Sequence, residues 1–273
     1  MKPTLNVTAL SSYLYCPRQF YLQKVKGLRQ PPTQPMAEGL IRHQVLETFG
    51  NNEEKLFENL ELINHTLTSE NIKQNYKEFL EKIIKQVFNR NIKSIKAFNI
   101  DINELYKKIK KQMNKEIILR ITAVENTLRK GFTGESLWEN LSPKYHSEYP
   151  LVSEKIGLKG RADRLMISEN TIIPFELKTR EADKIYPSDE VQLTAYAMLL
   201  EEKFNTKIPL AILESGDIKH ELIITNEHKQ KVLDLISEVN ELLKSGKPKF
   251  PSSFSKCQNC FFEEACEKLG EEK

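Results

Sequence analysis

Residues 160–180, GRADRLMISENTIIPFELKTR, carry two acids and a lysine whose spacing matters once the segment folds as a hairpin. Strand-type residues flank Glu169 and Asn170, so these two form the loop and Ser168 pairs with Thr171. That register sets Asp163 opposite Glu176, Ala162 opposite Leu177 and Met166 opposite Ile173, leaving the second face apolar apart from Arg164. Two carboxylates directly opposed across strands repel each other unless positive charge lies between them. A divalent cation is the natural candidate, and hard carboxylate oxygens suit magnesium or manganese. Lys178 lies two residues beyond Glu176 and shares its face, where an ammonium can orient an attacking water or help to deprotonate it. The D-x12-E-x-K spacing by itself is also what ordinary surface charges on a hairpin produce; the register is what sets it apart.

Three further groups have the right chemistry. His43, in GLIRHQVLE, sits on a helix with Leu40, Ile41, Val45 and Leu46, a setting that suits a plain surface or core histidine as well as a ligand. Gln192 and Tyr196, in QLTAY, are four residues apart and so share a helix face. Cys16 stands alone near the start, whereas Cys257, Cys260 and Cys266 form C-x2-C-x5-C. A reducing cytosol disfavours disulfides, which points to a metal site. Four thiolates suit zinc or an iron-sulfur cluster, although zinc sites usually show two close pairs.

The scaffold that must position these groups has 273 residues, enough for one large domain or two small ones. Apolar residues make up 39% and charged residues 29%, which excludes a disordered chain. No apolar run approaches the roughly 18 residues of a membrane span, and MKPTLNVTALSSYLYC lacks a secretory core, so a cytoplasmic protein off the membrane is expected. A short helix is expected within residues 5–22, a loop at QPPTQPM (30–36) and a helix from Glu38 to Phe49. Apolar steps of three and four from Leu56 to Ile63, Ile72 to Phe88 and Ile102 to Leu128 predict long amphipathic helices. After Pro143 the period becomes two, with strands at 149–157, 160–167, 171–178, 207–213 and 220–225 and helices at 189–203 and 227–244. The domain reading is therefore an α/β core of residues 1–49 and 141–273, interrupted by an all-helical insertion at 50–140. Residues 71–131 hold fifteen Lys and Arg against six Asp and Glu on a chain of net charge +3. Lys108, Lys111 and Lys115 share one side of the last insertion helix, where they serve either solubility or phosphate binding.

The hairpin resembles that of the PD-(D/E)XK nuclease superfamily, with Ala162-Asp163 where the family writes Pro-Asp and Glu176-Leu177-Lys178 as its E-x-K. The resemblance implies a restriction-endonuclease-like core, a mixed sheet flanked by helices, with Asp163, Glu176 and Lys178 catalytic and the Leu177 carbonyl a metal ligand. Similarity to the RecB-like branch implies His43 as a further ligand for Mn2+ or Mg2+. It also implies a Q-x3-Y pair, Gln192 and Tyr196, that positions DNA or the lysine, and a 4Fe-4S cluster on Cys16, Cys257, Cys260 and Cys266 joining the two chain ends. YCPRQFYL, DEVQLTAYAMLLEE and GKPKFPSSFSKCQNCFFEEAC are similar to the CRISPR-associated RecB-like exonuclease family. That likeness implies an exonuclease on single-stranded DNA or DNA ends that trims spacer precursors beside the spacer-integration complex. The competing readings are a non-catalytic, cluster-stabilised module that binds DNA ends or the integrase, and a nuclease of DNA repair or viral origin.

Overall fold

The computed structural model describes residues 4–60, 69–178, 183–215, 218–250 and 254–271. In chain order the elements are β1 (Leu5–Asn6), α1 (Val7–Tyr15), α2 (Pro17–Lys24), α3 (Gln34–Asn52), α4 (Glu54–Leu60), α5 (Ser69–Arg90), α6 (Ile92–Ala97), α7 (Ile102–Arg129) and α8 (Glu135–Glu139). They continue with β2 (Lys144–Ser153), β3 (Leu158–Ile167), β4 (Ile172–Lys178), α9 (Pro187–Phe204), β5 (Leu210–Ser215), β6 (Ile218–Ile223) and α10 (Asn226–Ser245). A 3-10 turn at Phe254–Asn259 and α11 (Glu263–Glu271) close the described chain. The strands form one mixed sheet in the order β1-β3-β4-β5-β6, with β2 also paired to β3. β1 runs parallel to β3 and β4 parallel to β5, whereas β5 and β6 are antiparallel. The α/β class and the helical stretch before the sheet are as the periodicities require. No helix among the described residues is long and apolar enough to cross a membrane.

The chain divides into two compact units, residues 1–31, 150–162 and 173–273 in one and residues 32–149 and 163–172 in the other. In the second, α5 buries Ile72, Tyr76, Leu80, Ile83, Ile84 and Val87, and α7 buries Leu105, Ile109, Met113, Ile117 and Val124. These are the apolar stripes of the sequence, and Asp101 starts α7 by accepting from the Asn103 and Glu104 N–H groups. The same core encloses charge. Arg120 pairs with Glu53 and Arg164 with Glu116, each side chain no more than 2% exposed. Tyr76 donates to Glu53 at 2.6 Å, and Arg120 to the Tyr145 carbonyl at 3.3 Å. Arg164, the exception on the apolar face of the hairpin, is therefore paired inside the protein.

In the first unit α9 is buried on most sides, with Val191, Leu193, Ala195, Ala197, Leu199 and Leu200 at most 1% exposed. It lies close against β3, where Gly160 leaves room for it. A Cβ on Gly160 would come within 2.9 Å of the Tyr196 ring and 2.8 Å of Val7. α10 has its capping box at Thr225 and His228 and ends at Gly246 in the left-handed region (φ 66).

Three expectations change, and a fourth is tested only in part. The single helix within 5–22 is a two-residue strand and two helices, broken where Cys16 lies extended ahead of Pro17, because the residue before proline is pushed out of the helical region. The helix expected from Glu38 starts at Gln34 and takes in part of the QPPTQPM loop, since Pro35 fits a first helical turn. β2 begins at Lys144, five residues before the expected strand, and the last two strands shift to Leu210–Ser215 and Ile218–Ile223. The spacing that ran to Ile63 is helical through Leu60, and Ile63 lies outside the described residues.

Candidate active site

At the tip of the hairpin the Ser168 N–H donates to the Thr171 carbonyl at 2.9 Å, and the Thr171 N–H returns the bond at 3.4 Å. Glu169 and Asn170 are thus the two loop residues, as expected, and the Lys130 ammonium lies 3.9 Å from the Glu169 carboxylate. Asp163 follows on β3, with only 8% of its surface exposed. In the same unit α3 presents His43, whose Nδ1 lies 2.8 Å from Glu148 Oε1 and 3.9 Å from Asp163 Oδ1. One ligand atom from each of the three lies within 4.8 Å of the others, the spacing of groups that share a cation. One imidazole nitrogen and two carboxylate oxygens suit manganese or magnesium. Two acids this close also need a positive partner.

Glu148 is the member that sequence reasoning missed. It stands in the middle of β2 at φ 52, a left-handed backbone that a non-glycine residue adopts at a cost on the order of 1–3 kcal/mol. The buried residues Tyr145, Ser147, Leu151 and Ser153 alternate along β2 and place Glu148 off the core side. That alternation is the only signal in the sequence, and it says nothing of the turned backbone.

In the other unit, β4 carries Glu176, Leu177 and Lys178. Lys178 Nζ is 2.7 Å from Glu176 Oε1 and 3.2 Å from Asp189 Oδ1 in the first turn of α9. Burial works to lower the lysine pKa, yet the charges and hydrogen bonds of Glu176 and Asp189 raise it above its ordinary value. Gln192 and Tyr196 share a face of α9 as expected, and Gln192 Nε2 donates to Tyr196 Oη at 3.3 Å.

All four cysteines line one cavity of about 280 Å³, together with Arg18, Leu22, Phe250 and Phe262. None is in a disulfide. The Gln19 N–H points to Cys16 Sγ at 3.4 Å, and Arg18 Nη1 lies 3.2 Å from the Cys266 carbonyl and 3.5 Å from its sulfur. The Cys257 thiol is pushed up in pKa by desolvation and then by Cys16, Cys260 and Cys266. Four thiolates in one cavity repel one another, so the donor set fits a cationic centre that accepts four sulfurs. Among the lysines of α7, Lys108 lies 2.9 Å from Glu38, so part of its charge is already matched, while Lys111 is exposed and Lys115 half-buried.

A family model described as the PD-(D/E)XK nuclease superfamily matches residues 4–267. A CRISPR-associated exonuclease Cas4 of Francisella tularensis subsp. novicida is 28% identical over 122 residues, 44% of this chain and 62% of its own length. CRISPR-associated exonuclease Cas4/endonuclease Cas1 fusions are also similar. That of Leptospira interrogans is 28% identical over 149 residues, 50% of this chain and 28% of the fusion. That of Myxococcus xanthus is 38% identical over 80 residues, 27% of this chain and 14% of the fusion. The matched region spans less than two thirds of each of these relatives. With the family model running from the first described strand into the cysteine-bearing tail, the chain belongs to the PD-(D/E)XK nuclease superfamily.

Proposed function

We propose that the protein is a metal-dependent deoxyribonuclease that trims single strands or DNA ends in the cytoplasm and supplies processed spacer precursors during CRISPR adaptation. The observation that carries this reading is the convergence of His43, Glu148 and Asp163 within 4.8 Å. The hairpin loop at Glu169 and Asn170 supports the register in which Glu176 is assigned to the same cation as Asp163. Mn2+ or Mg2+ is assigned to His43, Asp163, Glu176 and the Leu177 carbonyl, with Glu148 as an additional acid. A bound cation acidifies water and neutralises developing charge on phosphoryl oxygens. Lys178 holds positive charge beside Glu176, and Gln192 and Tyr196 line the helix face that follows it. Residues 1–49 and 141–273 are assigned as the nuclease domain and 50–140 as its insertion. The relatives fused to Cas1 support the spacer-integration machinery as a partner. End-labelled single strands and duplex ends should shorten with manganese and remain intact with chelator. Intact strands with manganese would mark a non-catalytic binding module instead.

The cysteine cavity is assigned a 4Fe-4S cluster with a structural role. Anaerobically purified protein should be brown with four irons per chain, and Cys16→Ser should lose both colour and iron. Stoichiometric zinc without iron would replace this assignment by a zinc site.

The basic face of α7 is assigned to the phosphate backbone. Changing Lys108, Lys111 and Lys115 together to glutamine should make the fall of affinity with salt shallower, by about 0.7 in log-log slope for each single-strand phosphate no longer neutralised. Filter binding from low to high salt measures it. An unchanged slope would make this a solvated face or a protein-binding one. Turnover on a saturating short strand should stay as in the unmodified enzyme.

A further inference from the structure

Lys178 is shared by two carboxylates of different origin. Glu176 lies two residues away on β4, and Asp189 reaches it from the first turn of the eighteen-residue α9. Asp189 is 2% exposed, and its backbone N–H is fixed on the Tyr186 carbonyl at 2.9 Å. The start of a helix is where a carboxylate is favoured electrostatically. Asp189, Gln192 and Tyr196 are spaced i, i+3 and i+7, all three are buried, and the last two are hydrogen-bonded to each other. The stripe is therefore D-x2-Q-x3-Y, one residue longer than the pair legible in the sequence.

Glu176 has two claims on it in the proposed nuclease. Its Oε1 lies against the Lys178 ammonium, and the same carboxylate is assigned to the cation. A dication at Glu176 weakens its hold on a neighbouring ammonium and repels that ammonium directly. Without a second anchor Lys178 would swing away at the moment its position matters. We infer that Asp189 is a positioning residue, the anchor that keeps Lys178 beside Glu176 when Glu176 takes up the metal. This rests on the nuclease reading for its purpose, though not for its geometry.

Magnetic resonance of protein with nitrogen-15 lysine tests it directly. The Lys178 ammonium signal, identified by its loss in Lys178→Arg, should stay sharp in the unmodified protein on adding Mg2+. In Asp189→Asn it should be present without metal and broaden or vanish with Mg2+, while Asp189→Glu restores it at least in part. Cleavage should follow, with kcat of Asp189→Asn down roughly 10- to 100-fold at unchanged KM, the usual range for a residue acting through another. In a Lys178→Ala background the same change should cost nothing further in kcat. A Lys178 signal indifferent to Asp189→Asn with Mg2+ present, or kcat losses that multiply in the double variant, would overturn the inference and leave Asp189 a residue of the fold. If the unmodified protein cleaves no DNA, the nuclease reading fails, and the resonance measurement still decides whether Asp189 anchors Lys178.

Discussion

Asp163→Ala is expected to reduce cleavage by roughly a thousandfold or more, because a metal-assisted hydrolysis draws several kcal/mol of its stabilisation from the cation and each 1.36 kcal/mol is a factor of ten. The fold should survive. Asp163 shares its site with Glu148 and His43, two of the three groups being acids within 4.8 Å, so removing one carboxylate relieves repulsion in metal-free buffer. The melting temperature with chelator should be equal to that of the unmodified protein or slightly higher, and the stabilisation gained on adding manganese should disappear. Loss of cleavage accompanied by a collapse of the fold would make Asp163 a structural residue, and wild-type cleavage with manganese would remove it from the metal site.

The second large effect lies in the helical core. Arg120 is paired with Glu53, which also accepts the Tyr76 hydroxyl, and Arg120 further reaches the Tyr145 carbonyl. Tyr76 itself has its pKa raised by burial and by Glu53, so it stays a neutral donor. Arg120→Ala leaves Glu53 charged, 1% exposed and without its counter-ion, a change expected to cost about 3–5 kcal/mol. Urea unfolding followed by helical circular dichroism should show the loss as a lower midpoint at similar slope. Replacing Glu53 with Leu, Tyr76 with Phe and Arg120 with Met together should recover most of that stability, since the cost comes from an orphaned charge and not from the absence of a salt bridge. A single variant within about 1 kcal/mol of the unmodified protein would mean that water reaches Glu53.

The parts of the fold that were legible in the sequence are those that local rules control. The stripe of α5 from Ile72 to Val87 and that of α7 from Leu105 to Val124 follow from periodicity alone. The Glu169-Asn170 loop follows from where strand-type residues stop, and that one turn set the register on which the carboxylates were placed. The cysteine quartet was legible from residue type and clustering, and all four do line one cavity. What escaped depends on partners far away in the chain. Arg164 stood as the exception in an apolar face because Glu116, forty-eight residues earlier, does not announce itself as its partner. Glu148 needed a left-handed residue inside a strand, which neither propensity nor alternation foretells. Asp189 drew no attention in the sequence, because only the packing of α9 brings it to Lys178.

The break at Cys16 also bears on how the proposed cluster would be acquired. About 240 residues separate Cys16 from Cys257, and closing a flexible loop of that length costs about 5 kcal/mol in chain entropy. A bound ion would have to meet that cost if the ends met only through it. They do not. Cys16 directly follows α1, whose Val7, Leu10 and Tyr13 are buried, whose Ser11 hydroxyl donates to the Ser188 carbonyl and whose Tyr13 hydroxyl donates to Glu238 on α10. Polypeptide packing by itself brings the two ends of the chain together. The proposed centre would then join thiols that the fold already gathers in one cavity, so losing it should leave α1 packed in place and refilling it should need no new folding search.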